Sequence, residues 1–188
     1  MMKRFLLGTL TTLAALACSP LCRADDLFGI ALHQPIHIQE CASRQGDYIP
    51  DDHSQCFKSP NGAAGSSSIP AHGQIIVNVP LEDRPAFMNG ADVVVGLSNG
   101  VVASVSAKTH GATGDTLDLE DLEQLFGKSH PHYLSSSQLN QSYQTIQADW
   151  KLPDGETVYF NSTEFGMYDG LLRIQTSAAA QHQPSTWD

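Results

Sequence analysis

Apolar and polar positions along this chain fall into two kinds of pattern. Short runs rich in β-branched residues recur at 75–79, stopped by Pro80, and then at 93–97 and 101–106 on either side of Ser98-Asn99-Gly100. Asn-Gly between two apolar runs predicts a tight β-hairpin, because both residues accept positive φ. Over 145–152, Ile146, Ala148 and Trp150 alternate with Gln147 and Asp149, and Pro153-Asp154-Gly155 then supplies a turn. Two further strands follow at 157–160 and 171–176, the second entered through Asp169-Gly170. The segment 116–126 has a different period. Leu119, Leu122, Leu125 and Phe126 make one apolar stripe at helical spacing. Asp115 or Thr116 is placed to cap the start of that helix, and Asp118, Glu120, Asp121 and Glu123 lie where the helix dipole favours negative charge. Gly127 and Lys128 mark its end.

The remaining segments are less regular. Residues 27–40 begin apolar, meet Pro35 and enter Cys41 as an extended piece. Residues 58–73 are rich in Ser, Gly, Pro and Ala and read as a loop that buries little; 177–188 reads as a frayed tail. A loose repeat links the two parts of the chain. Leu27-Phe28-Gly29 precedes His33-Gln34-Pro35, and Leu125-Phe126-Gly127 precedes Ser129-His130-Pro131. Each is followed by hairpins ending in Asn99-Gly100-Val101-Val102 or Asp169-Gly170-Leu171-Leu172. The expected fold is therefore α+β: antiparallel sheets carrying one or two helices on one face, in two pseudo-repeated halves at 25–110 and 111–176. Trp150, Tyr159, Phe160, Val93, Val95, Val102, Ile174, Leu122 and Phe126 are the expected core.

The chain start changes the picture of where this protein works. Lys3 and Arg4 precede an apolar stretch over 5–17, and Cys22-Arg23-Ala24 offers small residues at the −3 and −1 positions of a cleavage site before Asp25. Roughly 13 apolar residues are too few to span a bilayer, which needs about 20. The competing reading is a lipidation site at Ala15-Leu16-Ala17-Cys18, which has Ala where Leu is usual. Cleavage before Asp25 leaves Cys41 and Cys56, an even count that predicts a structural disulfide closing a loop of about 15 residues. It also removes Lys3, Arg4 and Arg23, so seven basic residues face 20 acidic ones and the formal charge becomes −13. That balance repels phosphate backbones and anionic lipid and attracts cationic partners, so nucleic acid is not an expected ligand.

Motifs for chemistry are few. Gly96-Leu97-Ser98-Asn99-Gly100 matches G-x-S-x-G, but the nucleophile elbow needs a helix after the serine, and Val101-Val102-Ala103-Ser104-Val105 favours a strand. His33 and His37 are separated by Pro35, which opposes the helix that would align them on a metal. His130 and His132 flank Pro131, and Asp51, Asp52 and His53 cluster near Cys56; each group reads first as a solvated loop. The carboxylates of 118–123 lack the spacing of a calcium loop. Phosphate-cradling and dinucleotide fingerprints are absent, and no cofactor is expected. Asn140 and Asn161 begin glycosylation sequons.

One resemblance adds to these readings. The helix ending in Leu125-Phe126-Gly127-Lys128, the run from Trp150 through Pro153-Asp154-Gly155 to Phe160, and Asp169-Gly170-Leu171 resemble small α+β domains of the bacterial envelope. These are the outer-membrane assembly lipoproteins (SmpA/OmlA-like) and the tandem-repeat β-lactamase inhibitor proteins. The resemblance covers 115–176, and more weakly 27–106. It implies a non-enzymatic, protein-binding role in the envelope; together with the −13 charge and the absence of catalytic motifs it leads to the expectation of an inhibitor or immunity-type protein, and the leader to a periplasmic or secreted one. Tyr133, Tyr143 and Tyr168, each in a polar loop, are the expected affinity residues, and Asp118, Glu120, Asp121 and Glu123 the expected steering charges for a cationic protein partner. The alternatives are a small exported hydrolase using Ser98, a metal-binding protein using the histidines, or a structural envelope accessory protein.

Overall fold

The structure is a computed structural model that describes residues 24–41, 54–58, 68–138 and 141–181. Residues 1–23 of the expected leader, the Asp51-Asp52-His53 cluster, Asn140, most of the 58–73 loop and the tail from 182 lie outside the described residues. Among the described residues nine strands form one sheet: β1 (Gln39–Glu40), β2 (Cys56–Lys58), β3 (Gly73–Asn78), β4 (Met88–Ser98), β5 (Val101–Thr109), β6 (His132–Gln138), β7 (Gln141–Lys151), β8 (Thr157–Asn161) and β9 (Gly170–Gln175). Helix α1 (Asp115–Phe126) follows β5, and the short helix α2 (Ser177–Ala180) follows β9. The strand order is β1-β2-β3-β4-β5-β9-β8-β7-β6. β1 and β2 pair in parallel, and every other neighbouring pair is antiparallel.

This topology overturns the two pseudo-repeated halves. The meander β3–β4–β5 and the meander β6–β7–β8–β9 are fused by a six-residue ladder between β5 and β9, from Ser104↔Gln175 to Thr109↔Gly170. The segment around Leu27-Phe28-Gly29, the counterpart of the α1 end in the loose repeat, is a 3₁₀ turn over Ala24–Gly29 leading into extended chain, not a second helix. A shared Leu-Phe-Gly is too short to carry a helix, which needs several turns of apolar stripe to dock. The molecule is mainly β with few helices.

Side-chain alternation explains why one face is covered. Register places Ile75, Val95, Val105, Ile174, Val158 and Trp150 in one line across six strands, and Val77, Val93, Ala107, Leu172, Phe160 and Ala148 in the next. Nearly all are fully buried. A shift in register between Gly96 and Leu97 leaves Ala103 without a partner, so Val102 and Val105 both reach the core although they stand three apart. The strands come close there: a Cβ on Gly96 would lie 2.4 Å from Ser104 Oγ, so any larger residue would have to turn that hydroxyl aside. The Asn-Gly turn is present as expected, with Asn99 at φ 53 and Gly100 at φ 79.

Helix α1 lies on the covered face and buries Leu119 and Leu122. Full burial of a side chain such as Leu122 contributes about 1.5–3 kcal/mol. The Phe126 and Trp150 rings meet at 5.8 Å, and Trp150 Nε1 donates to Gly127 O at 2.8 Å, which satisfies a carbonyl at the helix end. The expected cap is not made by Asp115 or Thr116. The helix begins one residue earlier than its pattern predicts, so Asp115 is its first residue and Gly114 its N-cap. The extended N-terminal segment completes the core with Phe28, Ile30 and Leu32, and is held by His33 N to Val102 O and Val102 N to Gln34 O, both 2.9 Å. Tyr159 corrects the core expectation. Its register partner is Arg173, so it stands on the opposite face from Val158 and Phe160.

Cys41 and Cys56 are bonded, with Cα atoms 4.8 Å apart, and the expected disulfide is present. Among the described residues, no helix is long and apolar enough to cross a membrane.

Candidate functional site

The other face of the sheet carries the complementary residues of the same alternation. Ile76, Val94, Ser106, Arg173, Tyr159 and Asp149 form one of its lines. Among the described residues no helix crosses it in the way α1 crosses the covered face, although Ala179 of the short α2 borders it beside β5, and Val94 in its middle is 37% exposed.

A turn between β8 and β9 rises beside this open face. Ser162 anchors it, since Ile146 N donates to Ser162 Oγ and Ser162 N donates to Ile146 O, each at 2.9 Å. The Thr145 and Thr163 hydroxyls share a hydrogen bond of 2.6 Å, and Phe165 N donates to Asp169 O at 3.0 Å. Ala112 N donates to Met167 O at 2.9 Å, which ties the turn to the entry of α1. Gly111 permits that contact, because it sits at φ 68 and a Cβ there would lie 2.4 Å from the Tyr168 carbonyl carbon. The turn delivers Phe165, 57% exposed, to the open face.

Phe165 borders a hollow of about 370 Å³ whose apolar lining includes Ile76, Ala91, Val94 and Leu171, with Asn89, Asp92, Ser106 and Lys108 as polar groups. A second hollow of about 240 Å³ shares Val94, Ser106, Phe165 and Leu171 with the first and continues over Ser104, Arg173 and Gln175. Charges around them are paired. Lys108 Nζ lies 3.1 Å from Asp169 Oδ2 and 5.8 Å from the Phe165 ring centre. Asn89 Nδ2 donates to the other Asp169 oxygen at 3.0 Å. Lys58 Nζ lies 3.1 Å from Asp92 Oδ1, and Arg173 Nε donates to Ser106 Oγ at 3.3 Å. An apolar depression with convergent polar groups and an aromatic wall has the chemistry to hold apolar side chains of a ligand and to orient its polar groups.

The expected binding residues do not gather there. Tyr133 lies in β6 and Tyr143 in β7, not in loops. Tyr133 pairs with Ile146 and Tyr143 with Ser136, so the two tyrosines point to opposite faces. Tyr168 does lie in a turn, 70% exposed, beside the start of α1. Asp118 corrects the steering expectation. It is buried, and it accepts from His110 N at 2.8 Å and stands 2.9 Å from His110 Nδ1. Desolvation raises its pKa above the usual carboxylate value, against the lowering effect of the bonds from His110. It fastens the end of β5 to the first turn of α1. Glu120 is exposed and Asp121 partly so.

Glu123 is engaged within the fold. It accepts from Lys128 Nζ, from Ser129 N at 3.0 Å and from Ser129 Oγ at 2.8 Å. These bonds, the one from Lys128 foremost, lower its pKa to about 2. A carboxyl whose folded pKa lies below its unfolded value adds stability above the unfolded pKa, and that stability is lost as pH falls through the folded one. Glu123→Gln should therefore flatten the acid limb of stability between pH 4.5 and about 2 and leave its shape above that window unchanged. Denaturant midpoints measured across this range check it.

Ser98 ends β4 and enters the hairpin turn, with strand β5 beginning at Val101, so the strand-to-helix elbow of a nucleophilic serine is not formed. His33, His37, His130 and His132 are exposed, and His33 Nε2 stands 3.6 Å from Glu156 Oε1. Among the described residues, no three His, Cys, Asp or Glu side chains come together as a metal site. Asn161 is buried and donates to Glu164 Oε2 at 2.7 Å, so its sequon is closed in the folded protein.

Sequence reading missed Phe165, Val94, Lys108 and Asp169. One signal for them was present: Thr163-Glu164-Phe165-Gly166 places a large aromatic inside an otherwise polar turn. Comparison of the chain with protein-family models, with curated proteins and with solved structures finds no match.

Proposed function

We propose that this chain is an exported, non-catalytic binding protein of the bacterial envelope, of the inhibitor or immunity type. Its partner would be a cationic protein, such as an envelope-acting enzyme, seated against the hollow beside Phe165. The observation that carries this reading is the apolar hollow on the open face of the sheet, with a half-exposed phenylalanine standing beside it. Aromatic residues, phenylalanine among them, are enriched at protein interfaces, and anchors seated in apolar pockets carry much of the binding energy. The surplus of carboxylates supports the sign of the partner, acting at long range while the locally paired charges of the hollow supply register. The Cys41–Cys56 bond agrees with an oxidising compartment, and the resemblance to envelope domains implies the same class of role.

The test uses the oxidised protein as bait against envelope extracts, followed by binding kinetics on a captured basic protein. Phe165→Ala should weaken binding by about thirtyfold or more, the equivalent of about 2 kcal/mol. Association should slow as salt rises. A partner that binds Phe165→Ala as tightly as the parent protein would remove the hollow from the reading.

A further inference from the structure

The two edges of the sheet are built differently. The β1 edge is two residues long, carries Glu40 and is stapled by the adjacent disulfide. Natural sheets close their edges by such shortness and charge. The β6 edge is seven residues long, and within it there is no Asp, Glu, Lys, Arg or Pro. It is the last strand of the sheet, so among the described residues nothing pairs with its outer side.

Hydrogen-bond direction shows what that side offers. Ile146 N and O are both engaged by Ser162, on the side of β7 away from β6. In an antiparallel ladder a residue turns both backbone groups to the same side, so Ile146 and its register partner Tyr133 form a non-hydrogen-bonded pair. Tyr133, Ser135 and Ser137 therefore turn their N–H and C=O groups outward. Tyr133 and Leu134, on opposite faces of this edge, are both exposed.

Charge selects the occupant. Between Glu123 and Asp149 the sequence has no carboxylate at all, although the chain holds 20. Two copies of so acidic a protein repel each other, and a join between them is least opposed where carboxylates are missing. A cationic partner finds no attraction at the same place. We infer that two copies of this chain pair antiparallel through β6, with the two-fold axis at Ser135, so that one sheet continues through both subunits. Ser135 then faces Ser135 of the second copy, and Tyr133 faces Ser137, which makes about six backbone hydrogen bonds. The contact is isologous and leaves only blunted β1 edges at both ends, so it closes as a dimer rather than growing into a fibre. This inference is independent of the hollow beside Phe165.

Sedimentation of the oxidised protein over a concentration series should show the mass rising from monomer to dimer. Ser135→Pro removes an outward N–H without touching the β6–β7 ladder, and proline is tolerated on such an edge. It should keep the circular dichroism and melting of the parent monomer while weakening dimerisation at least about tenfold. A parent protein that stays monomeric at every concentration would overturn the inference. So would a dimer that survives Ser135→Pro unchanged.

Discussion

Phe160→Ala should lower folding stability by about 3–5 kcal/mol, the largest effect expected from any single substitution in this protein. Phe160 is fully buried in the line Val77, Val93, Ala107, Leu172, Phe160, Ala148 that crosses the covered face. Its register neighbour on β7 is Ala148, and Ala107 lies two strands away beyond Leu172. These small residues leave room for the ring, so the ring fills volume that no neighbour can take over. Alanine would remove the transfer free energy of the ring and leave a cavity under strands that cannot collapse, because their spacing is fixed by the ladders on both sides. Denaturant unfolding should show a lower midpoint at an unchanged slope. Tyr159→Ala, one residue away on the open face, should cost much less. Equal losses at the two positions would mean that the covered face is not the core.

Removing the disulfide should cost about 3 kcal/mol, from the chain entropy of a closed loop of about 15 residues. Its structural consequence should be local first. β1 and β2 are two and three residues long, joined by Gln39↔Cys56, Glu40↔Phe57 and the bond from Cys41 N to Phe57 O at 2.9 Å. So few parallel hydrogen bonds do not hold two strands together without the covalent link. A Cys41→Ser/Cys56→Ser protein should lose hydrogen-exchange protection at β1 and β2 before the rest of the sheet, while Phe57 still contributes to the core through β3. Exchange rates at 39–41 and 56–58 in oxidised and reduced protein measure this. Unchanged protection in both states would assign the edge to packing alone. Combining the change with Phe160→Ala should give nearly additive losses if the two sites share no partner.

Local chemistry makes parts of this fold legible in the sequence. The turn at Asn99-Gly100 follows from two residues that accept positive φ between β-branched runs, and the structure places both there. Helix α1 follows from the spacing of Leu119, Leu122 and Phe126, and Gly127 ends it at φ 92. The disulfide follows from the cysteine count. Strand β6 was not legible. His-Tyr-Leu-Ser-Ser-Ser-Gln has the composition of a loop, and it is a strand only because β7 offers it a complete ladder. The role of Asp118 was hidden for a similar reason. Its place in the first turn of a helix reads as solvated charge, and only the approach of His110 from the end of β5 buries it.

The sequence by itself therefore determined the elements whose cause lies within a few residues: the hairpin turn, the amphipathic helix, the cysteine pair, the apolar alternation of the central strands and the surplus of negative charge. Only the tertiary structure decided which strands are neighbours. The pairing of β5 with β9 joins residues about sixty to seventy positions apart and turns two expected halves into one sheet. That same pairing sets Val94, Leu171 and the Phe165 turn around one hollow, and leaves β6 as the last strand among the described residues. The physical reason is range. Dihedral preference and side-chain period act along the chain, whereas ladder closure and burial depend on which distant segment completes the hydrogen bonds and excludes water.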